Sequence, residues 1–258
     1  MSVSLQKSRV VILVKAMPNP SKKYGETVCC AGVTREGVWK RLFPVRFRHL
    51  ETKFKRWDWV QFEYGRPTSD RRSESCHVYE DRLRVYGSLK SPDERARLLN
   101  PLVSGSTLEA VTQGKSLTLI RPRNPHFFWK RKPDRIIEAE REGYKLASQQ
   151  SSLFDKEIAA LEPVPYTFAF SYEDDAGRHL NQCSDWETST TYWKFTRQKS
   201  EAAALGHLTE TYNEKYPQSG MAFAMGTVKR RPGQWLLLGV IRLDTVPSEV
   251  AAQTSLAF

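Results

Sequence analysis

The chain has 258 residues, 40% hydrophobic and 11% aromatic, a composition that buries a core rather than staying disordered. Its one early apolar run, residues 10–14, is too short for a signal-peptide core, and no other stretch approaches the roughly 18 apolar residues of a bilayer span. Its four cysteines include no CxxC pair, so a disulfide-stapled secreted domain is excluded as well, and a soluble, cytoplasmic protein is expected. The net charge of +11 is unevenly placed. Residues 1–135 hold 28 Lys and Arg against 13 Asp and Glu, a net of +15, whereas the remainder holds 12 against 16, a net of −4. A field of one sign on one part of a chain points to a polyanionic partner, above all a phosphate backbone.

In chain order, residues 9–17 are a β-branched run and the first expected strand, ended by Pro18, Asn19 and Pro20, where imino acids stop ladder pairing. Strands are expected over 27–34 and 38–43, joined by Arg35-Glu36-Gly37 with glycine supplying a positive φ. Phe47, Leu50, Phe54 and Trp57 recur at helical spacing and predict a short amphipathic helix with a basic outer face. Further strands are expected over 59–64, 75–79 and 82–86. Ser91-Pro92-Asp93-Glu94 opens a helix: serine caps it, proline sits in its first turn and the acids meet the positive dipole end. A second helix over 106–112 and a buried strand over 117–120 follow. Short strands with one or two helices fit a small barrel or a strongly curved sheet.

The segment 121–133 reads as a basic aromatic loop, and 136–149 as an exposed, charged helix. Residues 166–172 form the clearest strand, followed by the turn Asp174-Asp175-Ala176-Gly177 and a return strand over 179–183. Helices over 186–197 and 201–216 and a final hairpin, 221–228 with 235–243, complete the chain. No repeat of fixed period is found.

Three groups of residues invite a functional reading. The loop 121–133 interleaves Arg121, Arg123, Lys130, Arg131 and Lys132 with Phe127, Phe128 and Trp129, the mixture that grips single strands through phosphate contacts and base stacking. A second basic cluster comprises Arg35, Lys40, Arg41, Arg46, Arg48, Lys53, Lys55 and Arg56, extended by Arg66, Arg71 and Arg72, and suggests a phosphate-tracking groove. The aromatic set Tyr166, Phe168, Phe170 and Tyr172 falls on one face of one strand and is assigned to the core. For catalysis, Asp174, Asp175, His179, Asp185 and Glu187 offer carboxylates for Mg²⁺, but an acidic turn and a helix start explain them more simply. Cys76, His77, His179 and Cys183 could ligate zinc only if two distant segments met. No catalytic residue, metal ligand or cofactor site is assigned.

The stretches Ile12-Leu13-Val14-Lys15-Ala16, Tyr24-Gly25-Glu26-Thr27-Val28-Cys29 and Trp39-Lys40-Arg41-Leu42-Phe43-Pro44-Val45-Arg46-Phe47-Arg48 resemble the start of the dual OB-containing domain family of prokaryotes. Similarity continues at Arg72-Ser73-Glu74-Ser75, Pro122, Asp185-Trp186-Glu187, Tyr192-Trp193, Met225-Gly226 and the hairpin around Gly239. The chain departs at Asp70-Arg71-Arg72-Ser73-Glu74-Ser75, which lacks the proline of the family pattern. The resemblance implies two OB-like barrels and a place in bacterial defence or mobile-element systems. The expected fold is therefore β-rich α+β, with two small OB-like or curved-sheet β units and several flanking helices. A basic OB-like domain is expected over 1–120, the basic aromatic loop and exposed helix over 121–160, and a second α+β unit over 161–258. The expected function is non-catalytic binding of single-stranded or locally opened DNA or RNA, as an accessory to a partner enzyme subunit and with no membrane role. The alternatives are a metal-dependent nuclease and a protein-protein adaptor that docks through the acidic C-terminal half.

Overall fold

Strand β1 (Gln6–Lys15) is apolar on both faces over its second half, because one face lines a barrel and the other packs on a second unit. The structure, a computed structural model, describes residues 5–17, 19–21, 25–46, 54–152, 161–229 and 231–244. Strands β2 (Asn19–Ser21), β3 (Gly25–Val33), β4 (Trp39–Arg46), β5 (Asp58–Gly65) and β6 (Ser75–Val78) follow. The order β1-β3-β4-β6-β5 closes on itself through β1 and β5, with β4 and β6 parallel and the other pairs antiparallel. This is a closed five-stranded, OB-like barrel. Ile12, Cys30, Leu42, Val45, Phe54, Val60 and Phe62 fill it. The turn between β3 and β4 places Gly37 at φ 78°, where a side chain would be strained. Proline at 20 does not end pairing there, since β2 continues antiparallel to β3. Of the helix predicted from Phe47, Leu50, Phe54 and Trp57, the first two residues lie outside the described residues. Phe54 is a barrel plug and Trp57 lies in a turn.

Strand β7 (Arg84–Ser88) pairs with the free edge of β5. Helix α1 (Pro92–Leu99) begins as the sequence predicts, with the Ser91 hydroxyl accepting from the Glu94 amide. Next come β8 (Val103–Ser104), α2 (Thr107–Thr112, capped by Ser106) and β9 (Leu117–Ile120). These strands do not join the barrel. They extend a four-stranded sheet, β14-β13-β9-β8, whose other members are β13 (Met221–Val228) and β14 (Arg231–Arg242). The barrel unit therefore ends near residue 102 rather than 120. The pattern alone did not reveal this, because a short apolar run such as Leu117–Ile120 carries no information about its partner.

The segment expected to be a loop is a strand, β10 (Arg123–Arg131). It pairs antiparallel with β11 (Tyr166–Asp174), which pairs with β12 (Gly177–Gln182). Its prolines sit at the edges of the ladder: Pro125 lies inside a register shift between Arg123 and His126, where no backbone donor is needed. Between β10 and β11 runs α3 (Asp134–Ser152), which is not wholly exposed. Ile137, Tyr144 and Ala147 form a buried stripe, and the helix packs across β2 and β3. Helices α4 (Trp186–Gln198) and α5 (Glu201–Glu210), followed by a π-helical turn over Thr211–Lys215, cover the inner face of β10-β11-β12. Tyr166, Phe168, Phe170 and Tyr172 lie in that core, as the sequence reading assigned them. The two sheets touch through a bridge between Cys183 and Leu237. Within the described residues, one barrel closes where the resemblance implied two; the second unit is a pair of sheets joined by that bridge and a common core.

The two units share a core. Val11, Leu13, Ala31 and Val33 on the outside of the barrel meet Leu99 of α1, and Leu117, Leu119, Ala224, Leu238 and Ile241 of the four-stranded sheet. Beyond it, β1 leads into the second unit: Ala16 bridges to Asp185, and the Met17 amide donates to the Ser184 carbonyl at 3.0 Å. No described helix is long and apolar enough to cross a membrane.

Candidate nucleic-acid interface

The expected basic groove divides into residues that weld the two units and residues that face water. Arg41 is 5% exposed; its guanidinium donates to the Ser116 carbonyl at 3.2 Å and lies 3.6 Å from Glu74. Arg56 donates to the Val240 carbonyl at 2.8 Å and to Asp185 at 2.6 Å. Arg72 reaches the Thr227 carbonyl at 2.8 Å while forming a two-pronged pair with Asp70. Arg121 donates to the Leu243 carbonyl at 2.9 Å and to Asn100 at 2.5 Å. Arg41, Arg56 and Arg72 each satisfy a carbonyl at the far side of the seam, and Arg121 reaches across it to the Asn100 side chain, a task for which a forked, permanently charged donor is suited. None of them is free to follow a phosphate chain.

The other predicted cations are distributed as follows. Arg35 lies over Trp59 with 5.5 Å to the ring centre, and Lys40 donates to the Tyr64 hydroxyl at 3.3 Å. Lys55 and Arg71 are exposed. The Arg46 side chain lies outside the described residues, as do Arg48 and Lys53 entirely. Arg123 pairs with Asp175 at 2.5 Å, Arg131 with Asp134 at 3.1 Å and Lys132 with Glu140 at 2.6 Å. Lys130 is exposed and has no acidic partner among the described residues.

Strand alternation sorts the three aromatics of β10. Phe127 is 1% exposed, and its ring packs 5.2 Å from both Phe170 and Tyr212 in the core. It cannot meet a base without unfolding the sheet. Trp129, on the same side but at the strand's open end, stands edge-on to Tyr166 at 5.2 Å and is 42% exposed. Phe128 points the other way and is 37% exposed. It stacks with His126 at 6.3 Å and an interplanar angle of 19°. The outer face of the sheet thus carries His126, Phe128 and Lys130 on β10, the small residues Thr167, Ala169 and Ser171 on β11, and Leu180, 68% exposed, on β12. At one end Glu173 and Arg178 neutralise each other at 2.9 Å. The sequence reading took this segment as a loop and so missed that alternation would split its aromatics. Once 121–133 is taken as a strand, that split can be read from the sequence.

Among the described residues, the carboxylates considered for a nuclease are not brought together. Asp174 is buried, accepts from the Ala176 amide at 2.8 Å and contacts His179 Nε2 at 2.7 Å. Asp185 caps α4, accepts from the Val240 amide at 2.9 Å and holds Arg56. Asp175 is on the surface with Arg123. Among the described residues no three His, Cys, Asp or Glu side chains are grouped as metal ligands. Burial pushes the Cys76 thiol up to about 11 and the Cys183 thiol up to about 12, so neither is a ready nucleophile.

No curated protein matches the sequence. Two family models tile it, and they meet between residues 101 and 104, where the chain leaves the barrel unit for β8. Residues 6–101 match the model described as Domain of unknown function (DUF8758). Residues 104–256, more than half of the chain, match the other, and the protein accordingly belongs to the family described as Domain of unknown function (DUF8757).

Proposed function

We propose that the protein binds single-stranded or locally opened nucleic acid, without cutting it, on the outer face of the β10-β11-β12 sheet. The observation that carries this reading is the exposed His126–Phe128 stack beside Lys130, which has no acidic partner among the described residues, on a sheet whose central strand presents the small Thr167, Ala169 and Ser171 opposite them. Small neighbours leave the ring faces open to bases, and every base has a face to stack. The face on which OB barrels usually take oligonucleotides, the second and third barrel strands, is less suited here. In this chain α3 and the four-stranded sheet pack on that side, and Arg41 is turned inward. Exposed cations such as Arg35, Lys55 and Arg71 supply attraction at longer range. An accessory role beside a partner enzyme, in a bacterial defence or mobile-element system, is the setting that fits a binding surface of this kind.

The test is fluorescence anisotropy with a labelled single-stranded oligonucleotide across a salt series, with and without Mg²⁺. Affinity is expected to fall linearly on logarithmic axes, with a slope of roughly −0.7 per phosphate contacted and no cleavage. Lys130→Gln flattens the slope by about one contact. Salt-insensitive binding, or none at low salt, refutes the reading.

A further inference from the structure

A second basic feature lies between the units. A cavity of about 490 Å³ opens where the end of β1, the turn before β5, α1, α4, α5 and β14 converge. That volume lies within the roughly 300–1,000 Å³ of small-molecule sites. Five cationic side chains line it: Lys15, Lys55, Arg56, Arg95 and Arg242. Three acids answer them. Glu187 takes Lys15 at 2.6 Å, Asp185 takes Arg56 at 2.6 Å and Asp244 takes Arg242 at 3.2 Å. Lys55 and Arg95 are left without an acid in contact among the described residues. Arg95 donates to the Leu89 carbonyl at 2.8 Å and lies over the Trp57 ring, 4.0 Å from its centre. Among the described residues these five cations meet three acids, which leaves two positive charges at the cavity unanswered.

The walls of the cavity are held in unusual backbone. Trp57 has φ 75°, a left-handed conformation costly for a bulky residue, and is fixed there by bonds from its amide to the Ile12 carbonyl at 2.8 Å and from the Leu89 amide to its own carbonyl at 2.7 Å. Opposite it, Thr211 and Tyr212 belong to the π-helical turn, a rare distortion that recurs at functional sites. The Nε–H of Arg56, buried in this wall, has no acceptor among the described residues. Tyr216 and His207 supply further ring surface.

We propose that this cavity binds a phosphate monoester of nucleotide size, its dianion held between Lys55 and Arg95 and its ring lying against the Trp57–Tyr216 side. Two surplus charges match a monoester dianion, and rings beside cations suit a nucleoside. The same chemistry is offered by a free mononucleotide and by the terminal phosphate of a strand. The site is distinct from the sheet face and does not depend on that reading.

The experiment is thermal unfolding and isothermal titration of the full chain with adenosine monophosphate, inorganic phosphate and adenosine. A further arm compares an end-phosphorylated dinucleotide with its hydroxyl-ended counterpart. The nucleotide and phosphate are expected to raise the unfolding temperature and titrate to one site, while adenosine does neither. Lys55→Gln, a change at an exposed position that leaves the fold intact, is expected to weaken nucleotide binding roughly tenfold. Phe128→Ala leaves it unchanged. A terminal phosphate that competes with the mononucleotide also supports the site and names the strand end as the source. Equal binding of adenosine and its monophosphate, binding untouched by Lys55→Gln, or no response to any phosphate probe overturns the proposal. Loss of oligonucleotide binding in Phe128→Ala with nucleotide binding intact separates the two sites.

Discussion

The seam between the barrel and the second unit and the outer face of the β10-β11-β12 sheet are both basic and aromatic in sequence, yet they use those residues in opposite ways. At the seam Arg41, Arg56 and Arg72 point inward, donate to carbonyls across the boundary and are compensated by Glu74, Asp185 and Asp70, while Arg121 donates across it to the Asn100 side chain. On the sheet face Lys130 remains in water and Phe128 presents its ring. A count of cations cannot tell a fastening from a ligand contact. What distinguishes them is whether a carbonyl or carboxylate of the same chain already occupies the donor, since a buried donor must be satisfied and an exposed one need not be.

If this contrast is right, disruption of the seam should appear in stability alone. Asp185→Ala leaves Arg56 buried without its carboxylate and strips the Val240 amide and the start of α4 of an acceptor. A loss of roughly 3–5 kcal/mol is expected in denaturant unfolding, with oligonucleotide affinity per folded molecule unchanged. A reduced affinity at full folding would place Arg56 or its neighbours at the nucleic acid instead.

Neighbouring phenylalanines of β10 sharpen the comparison within one strand. Phe127→Ala should cost about 3–5 kcal/mol of stability through the cavity it leaves among Phe168, Phe170 and Tyr212. Phe128→Ala should hardly move the melting temperature but weaken single-strand binding by roughly 1–3 kcal/mol. Trp129→Ala, at the edge, should show some of each. Equal effects of Phe127→Ala and Phe128→Ala on both measurements would contradict the assignment of faces.

The smallest expected effect is a pH dependence. Burial works against the Asp70 carboxylate, but hydrogen bonds from Arg72 and Ser75 outweigh it and hold its carboxyl down at about 2, against an ordinary 3.8. Because the folded value is the lower one, the pair stabilises the fold above pH 3.8 and loses this contribution as the pH falls towards 2. The gap in stability between wild type and Asp70→Asn should therefore narrow over that interval. Arg72 and Asp70 are 19% and 15% exposed, so solvent still screens the pair in part and the change is on the order of 1 kcal/mol. A gap that stays constant down to the lowest pH would show that the pair contributes nothing electrostatic.

The sequence by itself determined the local elements whose cause is local. The Ser91-Pro92 helix start, the glycine turn at Gly37, the Asp174–Gly177 turn and the aromatic strand at Tyr166 each follow from capping, positive φ or alternation within a few residues. It also determined the strand-rich α+β character and the uneven charge. Only the tertiary structure decided where β8 and β9 pair, that 121–133 is a strand, that α3 lies against β2 and β3, and which arginines are buried. Those outcomes depend on partners far away in the chain: Leu117–Ile120 finds β13 more than a hundred residues on, and Arg56 finds Asp185 and Val240. An arginine beside a hydrophobic run reads the same whether its acceptor is a phosphate or a carbonyl of the same protein, because the acceptor is brought to it by the fold.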